Sequence, residues 1–464
     1  MTELIHLTAC ELVERLKSGA VAITDVLDEL HNRIESVNPI INALPTLCIE
    51  RAYERAVQWQ ERPLHERGQL CGLPVSIKDL TPVSGVRTTY GSLLFEDFVP
   101  TTSDQMVRRI ESTGGIVYAK SNTPEFGAGG ITFNEVFGVT KTPYNIALAS
   151  GGSSGGAAAS LASGCAWLSH GSDMAGSLRT PAAFCGVTSL RPSPGLIQSD
   201  SEFLPYQILG LEGPMARDIT DLALFADVMH DAHSKRFQNA VSTAFEKPLK
   251  QSRVAYSVDL GITSVSQEIE DVFQRFLSQL EPHCDACVEA QPNLTNVHES
   301  FDVLRANHFA VNLEQDLRKH KHLMKPEVIW NVEMGIQLSS EAIREALRQQ
   351  GRIIGQAAAF MQNYDVLICP ATSVGYVDAS LRYPGETDGV PIPEYYRWLA
   401  IAYATTMTAL PVITLPAGSL SNDMPFAIQL VGKPHGESAL FQIAHQIEAM
   451  IGRDSSPIDP EPVR

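Results

Sequence analysis

The sequence predicts an α/β fold with helices layered over a sheet, and three observations carry that prediction. Strand-like apolar runs alternate with amphipathic helical ones from about residue 66 to 200. Buried-strand patterns return near the end, in "YDVLICPA", "LPVITLPAG" and "PFAIQLVG", so one sheet fed by both halves of the chain is expected. Of 464 residues, 44% are apolar and 19% charged, enough apolar surface for a sizeable core.

Taken in order, residues 8–60 read as two amphipathic helices. "TACELVERLKSG" has Thr8 as N-cap and Gly19 as a stop. "AITDVLDELHNRIESVN" brings Val26, Leu27, Leu30 and Ile34 onto one face. "LPVSIKDL" reads as a strand, "SDQMVRRIESTGG" as a capped helix and "IVYAKSN" as another strand. The text becomes helical and charged from about 255 to 365, for example in "EAIREALRQQGRIIGQAAAFMQ". A last helix, "GESALFQIAHQIEAMIG", precedes a Pro/Asp tail expected to be loose.

With 35 basic and 53 acidic side chains the net charge is −18, which disfavours nucleic acid and anionic membranes as partners. No apolar run has spanning length, and the N-terminus lacks the basic start and apolar stretch of a signal peptide. Eight scattered cysteines fit reduced, buried thiols of a cytoplasmic protein. The lone C-x-x-C in "HCDAC" falls short of the four ligands of a zinc site, and neither a metal nor a cofactor is expected.

"ASGGSSGGAAASLASG", residues 149–164, stands apart. A phosphate loop needs a Lys after its glycines, whereas Gly155-Gly156 runs into three alanines. Gly151–Gly155 formally matches the G-x-S-x-G nucleophile elbow of an α/β-hydrolase-type esterase. That reading needs a strand before it, and "KTPYNIALAS" is a poor one. It also needs a partner histidine, and nothing marks His283, His308 or His435 for that role. A bare linker does not explain the Ala-rich, helix-favouring continuation.

Two further segments matter. "HGSDMAGSLRTPAAFCG" is a second glycine-serine loop, holding Asp173, Ser177 and Arg179. In "CGLPVSIKDLTPVSGVRTTYGS", Lys78 sits among Leu73, Val75, Ile77 and Leu80, a costly place for an ammonium. Together these segments resemble the amidase signature family, with its G-x-P-x-x-x-K-D strand, G-G-S-S-G-G loop and G-[TS]-D-x-G-G-S-[IL]-R loop. Likeness extends through "GSLLFEDFVPTTSDQMVRRIESTGGIVYAKSNTPEFG", "EGPMARDITDLALFADVM" and "FAIQLVGKPHGE". It covers 1–235 and 360–450 well and 250–360 loosely.

The resemblance implies a large central mixed β-sheet covered by helices on both sides. It implies a single domain over 1–464, with N-terminal helices at 1–65, a catalytic core at 66–235, a mainly helical pocket region at 250–360 and completing strands and helix at 361–455. It implies Ser177 as nucleophile, Ser153, after a cis peptide from Gly152, as bridging serine, and Lys78 as base. Backbone N–H groups of Met174, Ala175, Gly176 and Ser177 would form the oxyanion hole. Ser154, Asp173 and Arg179 would support the loops and hydrogen-bond the serines, an ordinary ion pair being the alternative for the last two. Gly127, Ala128, Gly129, Gly130 and Thr132 would line the pocket. Strand alternation should turn Asp79 away from Lys78.

Three positions depart from the family pattern. Ala175 replaces a glycine, and its Cβ is expected to disfavour a positive φ and narrow the oxyanion corner. Thr142 and Ala409 replace Asn and Gly, and are expected to bear on the pocket. Tyr395, Tyr396, Trp398, Tyr403 and Met407 either line an apolar pocket or pack a helix. The expectation is a stand-alone amidase, monomeric or homodimeric, acting on a small, neutral, fairly apolar linear amide or carbamate, with urethanase or esterase side activity. A glutaminase-type subunit of an amidotransferase complex is the other reading.

Overall fold

The computed structural model describes residues 3–200 and 207–460. Thr8 caps α1 (Ala9–Ser18) by taking the Glu11 N–H, Glu11 returns a bond to Thr8, and Gly19 closes the helix. α2 (Ile23–Ile41) buries the expected Val26, Leu27, Leu30 and Ile34. A third helix, α3 (Ile49–Gln60), corrects the expectation of two: it buries Ala52, Ala56 and Trp59 along one face.

Eleven strands form one mixed sheet. They are β1 (Thr46–Leu47), β2 (Pro74–Lys78), β3 (Ile116–Ser121), β4 (Leu168–Asp173), β5 (Thr188–Arg191), β6 (Leu211–Ala216), β7 (Arg253–Tyr256), β8 (Ala286–Glu289), β9 (Val366–Pro370), β10 (Val412–Ser419) and β11 (Pro425–Val431). Their spatial order is β1-β3-β2-β4-β6-β5-β10-β11-β9-β7-β8, so both halves of the chain feed it. β2 runs parallel to β3 and to β4, whereas β4–β6 and β10–β11 are antiparallel. β2, β3, β9 and β11 are buried at every position, the mark of strands covered on both faces.

The remaining helices follow in chain order: α4 (Gln105–Ser112), α5 (Gly155–Ala162), α6 (Arg179–Phe184), α7 (Ile219–His230), α8 (Arg236–Ser242), α9 (Gln267–Leu280), α10 (Val297–His320), α11 (Pro326–Ile336), α12 (Ser340–Phe360), α13 (Ala400–Met407) and α14 (Glu437–Ile451). The 250–360 stretch supplies helices, as expected, and also strands β7 and β8 at one end of the sheet, β8 being its edge. α10 packs against α11 and α12.

Two local expectations change. Asn145–Ala149, read as a poor strand, pairs antiparallel with Lys141–Thr142 in a hairpin whose turn takes up Pro143. The tail is not loose up to residue 460. Arg33 bonds Asp459 (2.6 Å) and the Ile458 carbonyl (3.1 Å), and the Ile458 N–H donates to Ala162 O at the end of α5 (2.9 Å). Residues 461–464 of that tail lie outside the described residues. No described helix is long and apolar enough to cross a membrane.

Candidate active site

Parallel pairing of β2 with β4 sets Val75 beside Leu168 and Ser76 beside Ser169, so the two strands end at the same edge of the sheet. Lys78 ends β2 and Asp173 ends β4, which brings the two distant segments together. The third segment enters at the start of α5, where the Ser154 N–H donates to the Ser177 carbonyl (3.0 Å). α5 is buried along its whole length, and Gly156 permits its approach. A Cβ there would lie 2.2 Å from Asn122 N and 2.5 Å from Ala43 O.

Lys78 is fully buried. Its Nζ donates to Ser153 Oγ (2.7 Å), Ser154 Oγ (2.8 Å), Ser172 Oγ (3.0 Å) and Ser172 O (3.3 Å). Burial draws the ammonium down to about 7, against the opposing pull of Glu212 and Asp173. Asp79 does face away, 3.1 Å from Lys120 Nζ and bonded to Thr89. The Lys78 backbone N–H donates to His170 Nδ1 (3.4 Å), and His170 Nε2 lies 2.6 Å from Glu212 Oε2. An accepting Nδ1 places the imidazole proton on Nε2, facing the carboxylate.

Asp173 organises the Ser177 loop through the backbone. It accepts from the Gly176 N–H (3.0 Å) and the Leu178 N–H (2.9 Å) and receives Arg179 Nε and Nη2 at 3.0 and 2.8 Å. Burial alone would raise this carboxyl, but the Arg179 and Arg191 guanidinium groups hold it well below the usual carboxylate range. Arg179 also donates to Gln429 Oε1 on β11 (2.7 Å) and to the Ala402 carbonyl in α13 (2.7 Å). Asp173 and Arg179 therefore fix the loop as expected, but neither bonds a serine hydroxyl.

Ser153 and Ser177 open onto one cavity of about 320 Å³. Ser177 is 8% exposed, and among the described residues no hydrogen bond joins the two hydroxyls. The Gly152–Ser153 peptide is cis. Of the four expected oxyanion donors, Gly176 is spent on Asp173, while Met174, Ala175 and Ser177 line the cavity. Their N–H groups carry no hydrogen bond among the described residues. The positive φ belongs to Gly176, at +103°, and Ala175 has none, so its Cβ takes up space without straining the backbone.

Five residues were expected in the pocket, and Gly127 and Gly129 line it. Ala128 packs with Phe309 and Val328. Gly130 lies under Trp398, whose ring would be 2.3 Å from a Cβ there. Thr132 sits beneath the serine loop, accepting the Gly155 N–H (3.1 Å). Of the aromatic group, Tyr396 reaches the cavity, whereas Tyr395, Trp398, Tyr403 and Met407 do not line it. Thr142 donates to Phe184 O (3.0 Å), and Ala409 follows α13; both lie off the cavity, so the expectation that they shape it fails.

Sequence reasoning missed one wall. Arg305, His308, Phe309, Asn312 and Leu313 of α10 line the cavity, spaced as one helical face. That spacing was a signal, though no motif marks it. Tyr90 and Phe126 line the cavity too, both in the left-handed region at φ 53° and 49°, unusual for aromatic side chains. They are joined by the Phe126 N–H to Tyr90 O bond (2.8 Å). A separate cleft of about 560 Å³, lined by Asp259, His298 and Arg397 among others, contains neither serine.

Known proteins match this arrangement along nearly the whole chain. An acylamidase from Rhodococcus erythropolis is 30% identical over 474 aligned positions, covering 97% of both chains. A glutamyl-tRNA(Gln) amidotransferase subunit from Moorella thermoacetica is 28% identical, covering 96% of this chain and 97% of its own. In structure, a bacterial aryl acylamidase of the amidase signature family superposes with a TM-score of 0.87 over 96% of both chains, at 23% identity. A sequence model of the family described as Amidase matches residues 25–441, and this chain accordingly belongs to the amidase signature family of amide hydrolases.

Proposed function

We propose that the protein hydrolyses a C–N amide bond through an acyl-enzyme on Ser177. The observation that carries this reading is Lys78 Nζ, buried, drawn down to about 7 and 2.7 Å from Ser153 Oγ in the cavity that Ser177 shares. Neutral Lys78 takes the Ser153 proton, and Ser153 takes that of Ser177 as its Oγ attacks the carbonyl carbon. Charge gathering on the carbonyl oxygen meets the N–H groups of Met174, Ala175 and Ser177, which have no other acceptor among the described residues. The relay then protonates the departing amine. Water, deprotonated through the same groups, cleaves the ester and releases the acid. Ser154 shares the Lys78 donors and, with Gly152, holds the relay in place.

Phe126, Phe309, Leu313 and Leu399 on the cavity wall support a substrate with an apolar body, an amide or a carbamate. The elbow reading loses its support: Ser153 is bonded to Lys78, and no histidine bonds it among the described residues. Relatives named as glutamyl-tRNA(Gln) amidotransferase components favour the second reading, a glutaminase-type subunit. Purified alone, the protein should hydrolyse an anilide, and a fluorophosphonate should label Ser177 in peptide mapping. Label on Ser153 would overturn the assignment. Turnover of glutamine only, and only with a partner, would favour the second reading.

A further inference from the structure

Arg305 is a buried charge with no counter-charge among the described residues. It is 5% exposed, yet it lines the cavity that holds Ser153 and Ser177. Several other buried cations face carboxylates: Lys120 faces Asp79, and Arg179 and Arg191 face Asp173. Arg305 has no carboxylate within ion-pair distance among the described residues. Its nearest acidic neighbour on α10, Asp302, is taken by Arg397 (2.7 Å) and the Tyr396 hydroxyl (2.6 Å).

Of the five N–H groups a guanidinium carries, one on Nη1 meets Asn331 Oδ1 and one on Nη2 meets the Tyr395 hydroxyl. The rest have no acceptor among the described residues. Aromatic faces enclose the group instead, with Tyr396 at 4.3 Å, Phe309 at 4.9 Å and Tyr395 at 5.3 Å from its centre. Arginine does not shed its proton, so the cost of burial stands until an anion arrives. Neighbouring His308, drawn down to about 4 chiefly by burial and then by Arg305, is neutral and adds no competing charge.

We propose that Arg305 anchors a carboxylate of the amide substrate, so that the enzyme prefers amides with an apolar body and an anionic end over their neutral counterparts. This rests on the hydrolytic reading of the same cavity and deepens it, replacing the expectation of a neutral substrate. Asp200 and Glu212, which line the same cavity, would keep the anion on the α10 side.

Two matched pairs test it on the full chain: glutaranilate against N-phenylglutaramide, and 4-acetamidobenzoate against 4-acetamidobenzamide. One pair carries the charge on the acyl side and the other on the leaving group. In at least one pair kcat/KM should favour the carboxylate by about tenfold or more, mainly through KM. Arg305→Gln should bring that ratio near one, and Arg305→Lys should keep part of it, having charge but no fork. Ratios near one in the wild type, or a ratio unchanged in Arg305→Gln, would overturn the proposal. The second result would leave Arg305 as a packing group for Tyr395 and Tyr396. Should Arg305→Gln not fold, the wild-type ratio and Arg305→Lys decide. Calorimetric titration of Ser177→Ala with 4-phenylbutyrate and 4-phenylbutyramide reads the anchor without turnover. A preference for the acid there supports the anchor even if no anilide is hydrolysed, and equal binding sinks it.

Discussion

Lys78 must be neutral to accept a proton, and a free lysine at pH 7 is neutral about once in 10³ molecules. Burial, by drawing it to about 7, makes the base available near neutrality. In the proposed relay the neutral form is the active one, so kcat/KM should rise about tenfold per pH unit below 7 and level above it. Lys78→Ala should cost about 10²–10⁴-fold, and Lys78→Arg no less, since arginine cannot deprotonate. A profile flat from pH 5 to 9 would contradict this. The residues of this relay were legible because three motifs name them, and Lys78 because an ammonium in an apolar strand is conspicuous. The consequence of Ala175 was not legible. Its effect depended on which residue of the loop carries the positive φ, and that is Gly176. Arg305 was equally hidden, since what distinguishes it is the lack of a carboxylate partner among the described residues.

At the scale of elements, α5 approaches β3 through backbone contacts that leave no room for a side chain at Gly156. Gly156→Ala should therefore push the Ser153 loop off Lys78, and activity should fall further than thermal stability suggests. Ala409, by contrast, sits at φ +58°, where a Cβ is disfavoured. Ala409→Gly should stabilise the fold by about 0.5–1 kcal/mol in denaturant titrations with unchanged slope. The strongly periodic α1 and α2 and the buried strands were readable from sequence. α3 was equally open to that reading, with Ala52, Ala56 and Trp59 at helical spacing opposite charged residues. The Asn145–Ala149 strand was hidden, since Pro143 in the adjoining turn looked like a breaker.

Across the whole molecule, one carboxylate ties the halves together. Asp173 holds Arg179 and Arg191, and Arg179 reaches Gln429 on β11 and Ala402 in α13. Asp173→Asn would leave two buried guanidinium groups without their charge partner. Chemical denaturation should show a loss of about 3–5 kcal/mol, whereas an exposed pair such as Arg348–Glu345 should cost under about 1 kcal/mol to break. Strand patterns at both ends of the chain foretold one sheet, but its order could not be read. Pairing between β5 and β10 is a long-range choice that local patterns do not encode.

The bond from Arg179 to Gln429 also has a consequence in time. Lys78, Ser153 and Ser177 all leave the ribosome before the strand that braces their loop, since Gln429 follows Arg179 by 250 residues. A nascent chain that has not yet released β11 lacks this brace, so in a coupled translation assay the proposed hydrolytic activity should appear only after Gln429 has cleared the exit tunnel.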